Sequence, residues 1–317
     1  MVGRSRRGRR QTSIKIGGEE CKIDFDGYYF QNSNFFSVID MTYSKYCAVL
    51  LSCVIFLLIA GLSSVVAQET DANPTLPESM DLTARFEKWE LRRIHQGSRP
   101  TCSVCAVVGA IEYANAMFGK APCCLSVEFA NWAKNDATPQ KQDGGFFSNI
   151  WKGYQKHGLC SEELCPYGKS FDPEFVPSDE AREEAKAIHD VSLEIHWIKR
   201  WNPKNGLSDE QFTQIKTALG KEIPVCAGMR WPHKARRSQG ILLSVPEEDV
   251  FDGHSVLLIG YQDDESIEGD GYFLIRNTNN PKSNEKISYL YVRQFTNDAI
   301  FFAAGKESAN AAQKQQP

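Results

Sequence analysis

The sequence predicts an α+β fold in which a helical half is followed by a strand-rich half, with a site in the cleft between them. Two observations predict it. From Ser103 to Phe118, apolar residues recur at helical spacing, at Val104, Val107, Val108, Ile111, Ala114 and Phe118, and Gly119 stops the pattern. Later in the chain the pattern changes to short apolar runs separated by turn signals. Between the polar segments 68–75 and 306–317 lie about 230 residues, enough for one compact domain or two small lobes.

Taken in order, residues 1–40 form a polar extension whose basic cluster, Arg4, Arg6, Arg7, Arg9 and Arg10, reads as a solvated tail. Residues 41–67 read as a signal peptide. Met41 opens a short start carrying Lys45, an apolar stretch runs from Tyr46 to Leu62, and Val65 and Ala67 are small residues suited to cleavage after Ala67. Met41 then reads as the true start and residues 1–40 as a mis-called extension. If Met1 is the start, residues 46–67 are retained as a signal anchor in the membrane. Both readings place the rest of the chain outside the cytoplasm.

Segment 68–75 is a linker, and 306–317 is a disordered tail. LSVEFANWAKN and FFSNIWKGYQKHG read as two further helices, and EQFTQIKTALGKE as a last amphipathic one. IPVCAGMRW, GILLSV, HSVLLIGYQ, GYFLIRN and ISYLYV read as strands of an antiparallel sheet or barrel.

The chain is 42 % hydrophobic and 24 % charged, the composition of an ordinary globular protein, and its net charge of -4 gives no reason to expect a nucleic-acid partner. Ten cysteines are present. Seven follow Ala67, an odd number, so full disulfide pairing within the chain leaves a thiol over; Cys160 and Cys165 are placed to close a small loop, and a set of buried free thiols is the alternative. The cysteines and histidines do not form two pairs at zinc-like spacing, so no metal is expected, nor any other cofactor.

Cys102 carries the chemistry. Thr101 or Ser98 can cap the helix that it opens, and Pro100 is tolerated near such a start. At that place free amide N–H groups and the positive end of the helix dipole favour a thiolate. A nucleophilic thiolate needs a proton donor for its leaving group, usually a histidine. His95, His157, His189, His196 and His233 lie in polar or mixed segments and read as surface residues. His254 instead opens an apolar strand directly after Asp252 and Gly253, and the following strand leads to Asn277, whose side chain can hold an imidazole in one orientation. A rival reading takes Cys102 and Cys105 as a Cys-x-x-Cys redox pair, but Cys105 falls on the apolar run and His254 and Asn277 are then left without roles.

In this order, QGSRPTCSVCAVVGAIE, LSVEFANW, DGGFF, YQKHGLCSEELCPYG, HSVLLIGY and YFLIRNT resemble the papain-like cysteine peptidases, from LPESMDLTARF at Leu76 to Phe302. The resemblance implies a two-lobe fold over residues 76–305, with a helical lobe at about 96–185, a barrel-like β lobe at about 186–305, and the active-site cleft between them. It implies that Cys102 attacks a peptide carbonyl as a thiolate paired with protonated His254. Asn277 would orient His254, and Gln96 with the Cys102 N–H would hold the oxyanion. Gly144 and Gly145 would let a peptide or protein substrate approach the cleft wall.

The sequence departs from the family pattern in several places. Arg99 replaces the cysteine three residues before the nucleophile, so the family disulfide there cannot form. Pro100-Thr101 replaces Gly-Ser, Ser103 the aromatic residue after the nucleophile, and Asn279 the tryptophan that shields the asparagine. Without that shield, the His254–Asn277 bond is expected to face more water and to weaken. A homologue that binds peptides without cleaving them is the alternative these departures raise. Residues 68–75 are too few to cover a cleft, so no conventional inhibitory segment is expected.

Overall fold

The computed structural model describes residues 12–16, 19–23, 76–120, 123–188, 193–280 and 282–305. The signal reading at 41–67, the linker at 68–75, the tail at 306–317 and most of the extension 1–40 therefore lie outside the described residues. The chain divides into two units, Met1–Asn73 and Pro74–Pro317. In the first, β1 (Thr12–Ile16) and β2 (Glu19–Ile23) pair antiparallel.

The second unit begins with β3 (Ser79–Asp81) and α1 (Thr83–Lys88), followed by four helices: α2 (Cys102–Met117), α3 (Val127–Asp136), α4 (Phe147–His157) and α5 (Asp179–Ile188). Strands then dominate. They are β4 (Leu193–Lys199), β5 (Val225–Pro232), β6 (Arg237–Ser238), β7 (Ile241–Leu242), β8 (Val250–Asp263), β9 (Gly271–Arg276), β10 (Glu285–Ser288) and β11 (Thr296–Ala304), with α6 (Asp209–Gly220) and α7 (Tyr289–Phe295) between them. The strands form one sheet in the order β4-β11-β5-β8-β9-β10-β7-β6, with β3 added on β8. All neighbours are antiparallel except β7 and β10. The α+β expectation holds.

α2 is the centre of this unit. Every residue from Cys102 to Ala116 is buried, as an almost wholly apolar helix must be. It packs on β8, β5 and β11 on the sheet side and on α3 and α4 on the other. Local signals stop and start the elements around it. The Ser126 hydroxyl caps α3 by accepting the Phe129 N–H at 2.9 Å, and Ser208 with Gln211 forms a capping box on α6.

Three readings change. ISYLYV is not a strand: β10 ends at Ser288, whose hydroxyl accepts the Tyr291 N–H at 3.2 Å and starts α7. Its buried residues, Tyr289, Tyr291, Val292 and Phe295, recur at helical rather than alternating spacing. In GILLSV only Ile241–Leu242 is a strand. The helix α5 and the strands β4 and β11 were not anticipated as elements. Among the described residues, no helix is long and apolar enough to cross a membrane.

Candidate active site

The sheet and α2 converge on a cavity of about 300 Å³ whose lining includes Cys102, Ser103, Gly145, Phe146, Trp201, Gly228, His254, Ser255 and Asp298. Cys102 enters it as the first residue of α2. Thr101 precedes it without capping the helix through its side chain, since its hydroxyl meets the Tyr167 hydroxyl at 2.6 Å. The Cys102 Sγ–H donates to the Gly253 carbonyl at 3.6 Å, which brings the thiol beside the start of the segment carrying His254.

Burial pushes the Cys102 thiol above its usual range, against hydrogen bonds from Ser255 and Ser103 that pull it down. Burial also pulls the His254 imidazole below its usual range, against the Asn277 bond and the Glu285 charge. Both shifts oppose the charged forms. Burial thus works against the thiolate that the donors at the helix start favour.

His254 sits on β8 and Asn277 follows the last residue of β9, the neighbouring strand. The imidazole Nε2 and the Asn277 Oδ1 are 3.0 Å apart. The Asn277 Nδ2 donates to Glu285 Oε1 at 3.2 Å, and the Asn279 N–H donates to Asn277 Oδ1 at 3.1 Å. Both contacts turn the amide oxygen toward the ring. Nε2 then carries the proton, and Nδ1 is the basic nitrogen of the neutral ring. His254 and Asn277 are both buried. The expected loss of shielding does not occur, because Trp231 on β5 packs edge-on against the imidazole with ring centroids 4.5 Å apart.

Gln96 and Gly144 are not among the cavity's lining residues and pack against the loop that leads to Cys102. The Gln96 Oε1 accepts from the Thr278 hydroxyl at 2.6 Å and its Nε2 donates to the Arg99 carbonyl at 2.9 Å. One Nε2 hydrogen is thus committed and one remains. Gly144 has φ +65°, and a Cβ there would lie 2.3 Å from the Pro100 carbonyl oxygen, so glycine is required for the wall to reach the nucleophile loop. Gly145 does line the cavity, and its N–H donates to the Ser103 hydroxyl at 3.1 Å. Lys134 holds the same wall: its buried Nζ donates to the Gln142 and Gly144 carbonyls at 2.6 and 2.5 Å, and burial lowers its pKa to about 8.

Arg99 fills the place where the family disulfide is missing. Its guanidinium meets Glu128 at 2.5 and 3.1 Å and Asp143 at 3.0 and 2.7 Å, donates to the Gly168 carbonyl at 3.0 Å, and lies 4.6 Å over the Tyr167 ring. Burial opposes the charge, but the two carboxylates outweigh it and raise the arginine pKa. The nucleophile loop is thereby tied to α3 and to the Gly144 segment.

The remaining cysteines lie outside this cavity. All seven from Cys102 onward are free, Cys160 and Cys165 included. Burial pushes Cys105 up to about 12, out of the range of an attacking or leaving thiol. His233 and His95 are exposed, whereas His157 is partly buried against Trp132 and His196 against Phe301; His189 lies outside the described residues. Among the described residues, no group of three or more His, Cys, Asp or Glu is placed to hold a metal ion.

A family model described as papain family cysteine protease matches residues 76–304. Three solved structures share the fold. Xylellain, a cysteine protease from Xylella fastidiosa, is 20% identical with a TM-score of 0.57, covering 73% of this chain and 87% of its own. Digestive procathepsin L 3 from the larval midgut of Tenebrio molitor is 16% identical with a TM-score of 0.53, covering 74% and 72%. The Amb a 11 cysteine protease of ragweed pollen, in its proform, is 18% identical with a TM-score of 0.52, covering 76% and 70%. No curated protein sequence matches the chain.

Proposed function

Because the chain belongs to the papain family of cysteine proteases, we propose that it hydrolyses peptide bonds through Cys102, His254 and Asn277 by way of an acyl-enzyme. The observation that carries this reading is the oriented imidazole: Asn277 Oδ1 accepts a hydrogen bond from Nε2–H, which leaves Nδ1 as base in the ring that lines one cavity with the Cys102 thiol. His254 Nδ1 removes the Sγ proton as sulfur bonds to the substrate carbonyl carbon. The Cys102 N–H and the second hydrogen of Gln96 Nε2 hold the oxyanion. Collapse breaks the C–N bond, and His254 passes its proton to the departing amine. Water, deprotonated by His254, then attacks the thioester, the C–S bond breaks and the thiol is restored. Gly145 forms the wall along which the substrate backbone lies, and Gly144 lets that wall reach the nucleophile loop.

Residues 76–305 form the catalytic domain on this reading, with helical and β lobes meeting at the cleft. The cavity carries one buried carboxylate, Asp298, which burial pushes up to about 7. Beside the rings of Phe146 and Trp201, it favours peptides that bring a cationic side chain. Export rests on the signal pattern of Met41–Ala67, with residues 46–67 as membrane anchor if they are retained. Neither a nucleic-acid partner nor a cofactor enters this reading.

Hydrolysis of an unfolded protein tests it. The native chain should cleave, Cys102→Ala should abolish cleavage, and Gln96→Ala should reduce it about 100- to 1,000-fold. Peptide binding without cleavage by the native chain would overturn the reading in favour of a binding protein. Disulfide exchange lost with either Cys102 or Cys105 would overturn it in favour of an oxidoreductase.

A further inference from the structure

The geometry points to Glu285, held by Arg237, as the positioning residue that sets which nitrogen of His254 is basic. The inference rests on the reading of Cys102 and His254 as the reacting pair. In the sequence, Glu285 lies in NNPKSNEK, a polar turn where the family has a glycine-rich one. The fold gives it a different place. β10 returns antiparallel along β9 with Glu285 opposite Ile275, two residues before Asn277, so its side chain reaches back to the end of the preceding strand. Its Oε1 accepts from Asn277 Nδ2 at 3.2 Å and its Oε2 from Arg237 Nη2 at 2.6 Å. Arg237 arrives on β6, which joins the sheet through β7, the parallel neighbour of β10.

An asparagine amide can present either its oxygen or its NH2 group to a ring nitrogen, at similar size and shape. An ionised carboxylate only accepts. With Glu285 on one side, the amide must turn NH2 toward it and oxygen toward His254. The oxygen then accepts only from a protonated Nε2, and the lone pair is left on Nδ1. Arg237 keeps the carboxylate aimed. The Asn279 N–H supports the same orientation from the backbone, so removal of Glu285 should loosen the orientation rather than invert it. Of the chain Arg237–Glu285–Asn277–His254, Asn277 and His254 are buried and Arg237 is the exposed end.

The test is the tautomer of His254 itself, read by long-range 1H–15N correlation on labelled protein and assigned with His254→Gln. The titratable groups around the ring are Cys102 on α2, Asp298 on β11 and, through Asn277, Glu285 on β10 with its Arg237. The native ring should be the Nε2–H form. Glu285→Ala should give a mixture with Nδ1–H and a lower imidazole pKa, while Glu285→Gln, which still offers an oxygen, should lie between. Turnover is the second arm. Glu285→Ala should lower kcat about tenfold with KM within twofold, and move the acid limb of the pH profile to lower pH. A native-like tautomer and pKa in folded Glu285→Ala and Glu285→Gln would overturn the inference. A shifted tautomer in a chain that hydrolyses nothing would uphold it and overturn the proposed function instead.

Discussion

Two clusters of paired charges flank the cleft, and they differ in burial. On the nucleophile side, Arg99, Glu128 and Asp143 have side chains only 4%, 8% and 6% exposed. On the imidazole side, Arg237 is 38% exposed and Glu285 10%. The first cluster ties together the nucleophile loop, α3 and the segment before Gly144. The second holds one amide in one orientation. The same chemistry therefore serves stability where water is excluded and geometry where it is not.

The largest effect expected from this contrast is on folding. Arg99→Ala strands two buried carboxylates and should cost about 3–5 kcal/mol. Arg237→Ala should cost about 1 kcal/mol or less. Thermal unfolding of the two variants measures the difference, and equal losses would erase the comparison.

A further carboxylate sharpens it. Glu112 lies on α2 beneath the nucleophile, accepts the Leu125 N–H at 2.8 Å, and faces Arg92 only at 3.7 Å. Burial outweighs Arg92 and raises its pKa from 4.5 to about 7. Its folded-state value lies above the unfolded one, so the native state holds the extra proton. The stability this contributes is fully present below about pH 4.5 and is lost as pH rises through about 7. Glu112→Gln should flatten that slope, worth about 3 kcal/mol at most. The check is denaturant unfolding between pH 5 and 8; an unchanged slope would remove Glu112 from the account.

The smallest effect should be that of reduction. With all seven cysteines from Cys102 onward free and Arg99 in the bridging place, a thiol reductant should leave the midpoint of thermal unfolding unchanged. A fall would mean that a disulfide carries part of the stability assigned to the Arg99 cluster.

The α+β class, the start of α2 and the order of Cys102, His254 and Asn277 were legible because each depends on local pattern. The apolar period shows α2, and the strand signals show β8 and β9. What stayed hidden depends on partners distant in sequence. Arg99 looked like a missing cysteine until Glu128 and Asp143 came to it. The missing tryptophan after Asn277 looked like a lost shield, yet Trp231, on another strand, covers the ring. Glu285 was one charge in a polar turn, and Asp298 lay on β11, a strand not anticipated. The burial that opposes the thiolate was hidden for a related reason: a helix start is visible in sequence, but the dryness of the place it faces is not.

The central claim is that Cys102, though buried, is the nucleophile served by His254. Peptide mapping after treatment with a thiol-directed peptidyl epoxide tests it most directly, because Cys124 is exposed and Cys123 partly so. Recognition in the cleft predicts an adduct on Cys102 that disappears in His254→Ala, with Cys123 and Cys124 unmodified. Labelling that follows exposure, on Cys124 with Cys102 untouched, would contradict the account.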